Sequence, residues 1–459
     1  MSFKPYRATH HLLWLTVIAS AHPIGGQVPA AAPTQAVVIA IPKTPAGDAL
    51  RAWLDAYNSG DSTQMAAYLR TYQPERAVGD ALYFRRMSGG FDLLTIERSE
   101  PRHIEFTLRE RSKPMTAYGA LDLSAGEPTR VTDLMLEPLG LNASVAALRI
   151  DATTRARVVD RATALLDSFY VFPEAAKRMG DSVHARLARG VYDAYETGPG
   201  FAMRLNSDLG EIAHDKHLDV RYSTRALPPR PESATPPKPT PEEVAQERKE
   251  MDEINCGFRK VEQLEGNVGY LKFDEFADPE ICEPTASAAM NFLAGTCALI
   301  LDLRENGGGT PGMVAFVASY LFDRRTHLND LWTRRTRNTE EFWTRDSVPG
   351  RRFGAEKPIY ILTSAHTFSG AEEFAYDLKT LKRATIVGET TGGGAHPVRG
   401  RRIDDHFMIG VPFARAINPI THTNWEGVGV EPDVKVPARI ALDTAQTLLR
   451  KTVRGRSPG

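Results

Sequence analysis

From Asn255 to about residue 440 the chain alternates short apolar runs with amphipathic stretches, and that alternation restricts it to a sheet flanked by helices. Strands are predicted at Val268-Gly-Tyr-Leu-Lys-Phe273 and over residues 298–304, 359–363, 384–388 and 407–410. Helical spacing covers 284–293, 311–322, 370–381 and 438–450. The expected class for this part is α/β.

Upstream the pattern changes three times. Residues 45–145 open with a helix, Gly47-Asp-Ala-Leu-Arg-Ala-Trp-Leu-Asp-Ala-Tyr57, stopped by Asn58-Ser-Gly60, and a second helix covers roughly 62–71. Four alternating segments follow at 91–97, 104–109, 118–123 and 131–136. Their period of two predicts a half-exposed antiparallel sheet. Residues 150–225 read as a helical unit, with helices at 156–170, 173–189 and 198–213. Seven prolines then fall between Pro228 and Pro241, a density that favours extended chain. Residues 226–252 are therefore expected to be a linker leading into a charged helix at 242–254, ahead of the α/β region at 253–440 and a C-terminal helix and tail at 441–459.

A formal net charge of -1 gives no electrostatic case for nucleic acid or an anionic membrane. At the N-terminus, Lys4 and Arg7 precede Leu12-Leu-Trp-Leu-Thr-Val-Ile-Ala-Ser-Ala21, which ends in small residues. This is the three-part pattern of a secretory signal peptide over residues 1–21, followed by an Ala- and Pro-rich tether over 22–44. It implies a secreted or periplasmic protein, and the apolar run is too short to span a bilayer. No other stretch has the length and hydropathy of a membrane helix. Of the three cysteines, Cys256 and Cys282 are free to pair in an oxidising compartment, whereas Cys297 opens an apolar run and is expected to be a buried small hydrophobe. None has metal-ligand spacing with histidine.

Four segments carry chemistry. Ser369 lies between the apolar run Pro358-Ile-Tyr-Ile-Leu-Thr363 and a helix from Ala371 onward, where free N–H groups and the helix dipole favour negative charge. A serine there is either an N-cap or a nucleophile. Its surroundings are not G-x-S-x-G, so an α/β-hydrolase elbow is disfavoured. Leu301-Asp-Leu-Arg-Glu-Asn-Gly-Gly-Gly-Thr-Pro311 runs from strand into glycines whose N–H groups can converge on an anion, without the P-loop's lysine. Gly388-Glu-Thr-Thr-Gly-Gly-Gly-Ala-His-Pro397 is a second glycine loop. Asn424-Trp-Glu-Gly-Val-Gly-Val-Glu-Pro-Asp433 brings an acidic residue, Glu426, near the end of the region.

In this order the four segments resemble the C-terminal processing (tail-specific) protease family, in the branch of the tricorn core proteases and the interphotoreceptor retinoid-binding protein modules. The resemblance spans about 150–440 and includes the lead-in Asn255-Cys-Gly-Phe-Arg-Lys-Val-Glu-Gln-Leu-Glu-Gly-Asn-Val-Gly-Tyr-Leu271. It implies a crotonase/ClpP-like ββα core preceded by a helical cap. Residues 45–145 resemble the cone-shaped α+β fold of the nuclear-transport-factor-like superfamily. By the same resemblance Ser369 is the nucleophile. The processing branch carries a lysine base in the second glycine loop, where this chain has Thr390 and Gly394. The tricorn-like branch draws a histidine base from the cap, and Asp215-Lys-His-Leu-Asp-Val220 offers His217. Lys216 stands where that branch has a serine. Glu426 matches the acidic member, which either orients the base or binds the substrate amine. His214, His366 and His396 are alternative bases, His396 foremost because it lies in the glycine loop. The N–H groups of Gly308 and Gly370 are the expected oxyanion donors. No metal or organic cofactor is implied.

The expected activity is hydrolysis of peptides or unfolded chains through an acyl-enzyme on Ser369. The competing readings are an apolar-ligand binder on the same scaffold and a scaffold protein working through residues 45–145. Retention of Ser369, His217, Glu426 and both glycine loops favours the enzyme. The region between cap and core is mostly proline-rich, without evident room for a PDZ-type domain, so endoproteolysis or oligopeptide trimming is expected over tail selectivity.

Overall fold

The structure, a computed structural model, describes residues 39–454 apart from 75, 77, 114, 140–143 and 230–239. The expected signal peptide at 1–21, most of the tether and most of the proline-dense run lie outside the described residues.

The N-terminal unit is helices α1 (Pro45–Ser59), α2 (Ser62–Tyr72) and α3 (Val78–Ser88) followed by strands β1 (Phe91–Ser99), β2 (His103–Glu110), β3 (Thr116–Leu123) and β4 (Val131–Leu139). Thr44 Oγ1 caps α1 by accepting the Gly47 N–H at 3.1 Å, and Gly60, at φ +67°, ends it. Helix α3 is not apparent from the sequence, because its core-facing residues Val78, Ala81, Leu82 and Phe84 form a weak stripe interrupted by Gly79 and Asp80. The four strands form an antiparallel meander in sequence order. One face packs Phe91, Phe106 and Leu121 under Leu50, Trp53 and Tyr57. The other face is covered along β2 and β3, while β1 and β4 stay partly exposed, so the half-exposed expectation holds for the outer strands only. Tyr118, Ala120 and Leu139 meet Leu148 and Met203, and the Tyr118 hydroxyl lies 2.8 Å from Thr197 Oγ1.

The cap consists of α4 (Ala152–Phe169), α5 (Pro173–Ala188) and α6 (Gly198–Ala213), then a short strand β5 (Asp219–Tyr222). After the proline-dense run, α7 (Pro241–Glu253) starts with Thr240 and Glu243 capping each other reciprocally.

Downstream follow β6 (Phe258–Leu264), β7 (Val268–Phe273), α8 (Pro279–Leu293), β8 (Ala298–Asp302), α9 (Pro311–Ser319), β9 (His327–Thr333), β10 (Asn338–Trp343), β11 (Ile359–Thr363), α10 (Gly370–Thr380), β12 (Thr385–Gly388), β13 (Val398–Arg402), β14 (Phe407–Pro412), β15 (Ala414–Ile417), β16 (Val434–Lys435) and α11 (Ala441–Arg454). Six of these strands build one sheet in the order β16-β12-β11-β8-β7-β6, parallel except at β6. Helices α8, α9 and α10 cover one face through Met290, Phe316 and Phe374, and α11 covers the other with Ala445 and Leu449. The mixed α/β class agrees with the expectation.

Strand β14 departs from it. Residues 407–410 are a strand as expected, yet β14 does not join the main sheet: it pairs with β13 and β5 in a separate three-stranded sheet. There Phe407, Ile409 and Val411 pack into the cap against Phe201 and Leu205. The cap is thereby joined to the α/β region beside the end of β5. Cys256 and Cys282 form a disulfide. Cys297 is exposed instead of buried, since it precedes β8 beside the 265–267 turn, with its Sγ 3.3 Å from the Gly266 carbonyl.

Candidate active site

Strands β8 and β11 are parallel neighbours, so the loops at their carboxyl ends lie side by side, the usual place for a site in such a sheet. The two loops are bonded together: Thr367 Oγ1 donates to the Leu303 carbonyl at 2.7 Å and the Phe368 N–H to the Asn306 carbonyl at 3.1 Å. Ser369 follows at φ +53°, ψ -119°, a conformation that L-residues rarely hold without compensation. Its N–H donates to Glu372 Oε2 at 2.8 Å. Glu372 is buried and also accepts from Gly393 N (2.6 Å), Gly394 N (2.8 Å) and Thr391 Oγ1. One carboxylate thus ties the start of α10 to the second glycine loop. Burial pushes its pKa up to about 7 against the pull of those donors. Glu372 is absent from the residues expected at the site, although Ser369-Gly-Ala-Glu372 is the S-x-x-E signature of a helix start.

The Ser369 Oγ lies 3.1 Å from His217 Nε2. Helix α6 ends at His214 in the left-handed region (φ +52°), and the chain turns through Asp215, whose Oδ1 accepts the His217 N–H at 3.0 Å. His217 is only 4% exposed and packs on Phe368 with ring centroids 4.7 Å apart. Burial drives its pKa down to about 4, with the Asp215 charge opposing and His396 assisting. The imidazole is therefore neutral near pH 7, the form that accepts a proton. Gly394 leaves the space: a Cβ there would come within 2.7 Å of His217 Cε1 and would overlap the Phe368 ring.

Behind His217 lies a second cluster. His396 Nδ1 is 2.7 Å from Asp215 Oδ2 and 3.4 Å from Glu426 Oε2. Tyr170 donates to Asp215 Oδ2 at 3.2 Å, and Ala395 N–H to Glu426 Oε2 at 2.5 Å. Burial opposes the charge on His396, but Asp215 and Glu426 outweigh it and raise its pKa. Burial likewise acts against ionised Asp215, yet the His396 bond and charge leave its pKa below the usual range. Glu426 is pushed to about 7 by burial and by Asp215. Glu426 Oε2 thus faces His396, and His396 faces Asp215. Asp215, His396 and Glu426 bring their ligand atoms within 4.8 Å of one another, a set that could hold a cation; here the His396 Nδ1–H serves both carboxylates. Lys216 turns away, its Nζ donating to the Gly392 carbonyl at 2.6 Å.

The glycine turn after β8 corrects one donor. The Gly308 N–H is already given to Asn306 Oδ1 at 2.9 Å, and buried Asn306 is fixed by its own bond to the Phe273 carbonyl at 3.0 Å. Gly308 (φ +102°) instead allows close approach, since a Cβ on it would stand 2.7 Å from Gly370 N and 2.8 Å from Ser369 Cβ. The next amide nitrogen lies close to the helix start: a Cβ placed on Gly370 would be 3.0 Å from Gly309 N. Gly309 and Gly370 thus flank Ser369. The sequence marks the turn without marking the residue, because which amide Asn306 consumes depends on the fold.

Residues 267–436 match peptidase family S41, and residues 139–262 match the N-terminal domain of peptidase S41 in eukaryotic IRBP. The chain is 28% identical over 178 residues to chloroplastic carboxyl-terminal-processing peptidase 2 of Arabidopsis thaliana, covering 38% of this chain and 33% of that protein. It is 26% identical over 185 residues to a carboxyl-terminal-processing protease of Picosynechococcus, covering 40% and 43%. The matched part is thus under half of each relative's length. Among solved structures, the photosystem II D1 C-terminal processing protease aligns over 62% of this chain and 94% of its own, with a TM-score of 0.39 and 16% identity.

Proposed function

We propose that this chain, whose residues 267–436 match peptidase family S41 and residues 139–262 its N-terminal domain, is a serine peptidase in which Ser369 is the nucleophile and His217 the general base. The single observation that carries the reading is the 3.1 Å approach of Ser369 Oγ to a buried, neutral imidazole. As Ser369 Oγ adds to a peptide carbonyl, His217 Nε2 takes the hydroxyl proton and later gives it to the leaving amine. The oxyanion is held by the N–H groups of Gly370 and Gly309, each donor contributing about 3–4 kcal/mol in the transition state. Water then hydrolyses the acyl-enzyme by the same route in reverse. Ser369, held at positive φ, places its Oγ 3.1 Å from the base, and the dipole of α10 favours negative charge developing at that junction.

The substrate class is peptides or unfolded chains. The Lys4–Ala21 pattern supports a secreted or periplasmic setting, and the Cys256–Cys282 bond agrees with an oxidising compartment. A peptide-library digest read by mass spectrometry tests the reading. Wild type should generate new termini and Ser369→Ala none; turnover that survives Ser369→Ala removes the assignment.

A further inference from the structure

The proposed base is held by a chain of side chains that the proposed chemistry does not itself use. Glu426 Oε2 and Asp215 Oδ2 both face His396 Nδ1, at 3.4 and 2.7 Å. The other oxygen of Asp215, Oδ1, accepts the backbone N–H of His217 at 3.0 Å. Its centre is buried: Asp215 and His396 are 5% and 4% exposed, Tyr170 is buried with its hydroxyl on Asp215, and Phe172 lies edge-on to the His396 ring at 5.3 Å, while Glu426 is partly exposed. A buried carboxylate with no cation beside it would be costly, and a salt-bridged one stays put. We infer that His396 is a positioning residue for the base, acting through Asp215, which it grips on one oxygen while the other oxygen fixes the turn carrying His217.

The inference rests on Ser369 and His217 acting as proposed. It departs from a direct acid–base pair, because the late acidic residue Glu426 is linked to His217 through His396 and Asp215. Spacing within the second glycine loop accounts for the arrangement. Gly394-Ala-His396 places the histidine two residues beyond the glycine that clears room for His217, so the loop that shapes the pocket also braces the base. The titratable and charged groups that face His396 come from four segments: Asp215 and His217 from the turn after α6, Glu426 from the 424–433 loop, Arg415 from β15, and Tyr170 from the end of α4. Of these, positive His396 lowers the pKa of His217 and Asp215 raises it. So long as Asp215 stays ionised, removing the His396 charge moves the base's titration upward.

A fluorophosphonate serine probe needs no knowledge of the substrate and gives both a maximal labelling rate and a half-saturation concentration. His396→Ala should lower the maximal rate about tenfold to a hundredfold, as loss of an orienting outer partner commonly does, with half-saturation little changed. Its acidic limb should move to higher pH. His396→Asn keeps an N–H near the Nδ1 position without the charge, so it should recover most of the maximal rate while its acidic limb stays shifted. That split is not produced by a general loss of packing, and thermal melting of each variant confirms that it is folded. Wild-type labelling rate and pH limb in both variants would overturn the inference and leave the Ser369–His217 reading standing. Labelling that persists in Ser369→Ala overturns that reading and this inference with it. Should His396→Ala fail to fold, His396→Asn decides: an unshifted limb counts against the role and a shifted limb with recovered rate supports it.

Discussion

At the scale of single residues, the chemistry depends on how burial sorts protons. His217 is pressed against Phe368 and closed in by the Gly394 backbone, and its pKa falls to about 4. A base of this kind remains neutral far below the usual histidine range. Probe labelling should accordingly hold level down to about pH 5 and decline toward pH 4, where the folded enzyme protonates. A decline centred near 6.5 would instead describe a solvated histidine. The same shift sets a stability trend. The folded pKa lies below the unfolded value, so the unfolded chain binds the proton first, and stability is complete above about pH 6.5 and lost as pH falls toward 4. Gly394 supplies a steric test. A Cβ at that position would lie 2.7 Å from His217 Cε1, so Gly394→Ala should displace the imidazole and cut the labelling rate on the order of a hundredfold, the cost of about 1 Å of misplacement. Residues of this kind divide in legibility. Ser369, His217 and the glycine turns stand in recognisable local motifs, and Glu372 stands in a helix-start motif that says nothing of its second loop. Asp215 and the Gly309 amide have none, because their partners, His396 and Gly370, are 181 and 61 positions distant in the chain.

At the scale of elements, two parallel strands and one small sheet assemble the site. The β8–β11 pairing puts the glycine turn beside the Ser369 junction. The β5–β14 pairing, Phe407 opposite Tyr222 through Gly410 opposite Asp219, holds the segment that follows His217. Phe407 is 1% exposed and packs edge-on to Phe201 at 6.1 Å and to Tyr222 at 5.1 Å. Phe407→Ala should cost about 3–5 kcal/mol of unfolding free energy in a denaturant titration and slow labelling as well, since the strand after His217 loses its anchor. Stability loss with an unaltered labelling rate would show that β5 does not position the base. The strands of the main sheet are legible as apolar runs, and α9 and α10 begin where the helical spacing places them. Residues 407–410 read as a strand as well, but period alone names no partner, and β14 meets β5 across 185 to 191 positions of chain. The β9–β10 hairpin is not legible because Asn338–Trp343 is mostly polar and partly exposed.

At the scale of the whole molecule, the N-terminal unit, the cap and the α/β region form continuous contacts around the site. The meander's second face is buried by the cap through Tyr118, Thr197 and Met203, and the cap in turn holds α6, whose end delivers Asp215 and His217. Among the described residues no helix is long and apolar enough to cross a membrane. This architecture brings Ser369 from one region to His217 from another, so the Ser369–His217 approach reports on both the proposed chemistry and assembly. The most direct measurement is labelling of the full chain by a fluorophosphonate probe, with the adduct located by mass spectrometry. An adduct is expected on Ser369, with none in Ser369→Ala and a labelling rate reduced about 10²- to 10⁴-fold in His217→Ala. An adduct on another residue, or His217→Ala labelled as fast as wild type, would contradict that expectation.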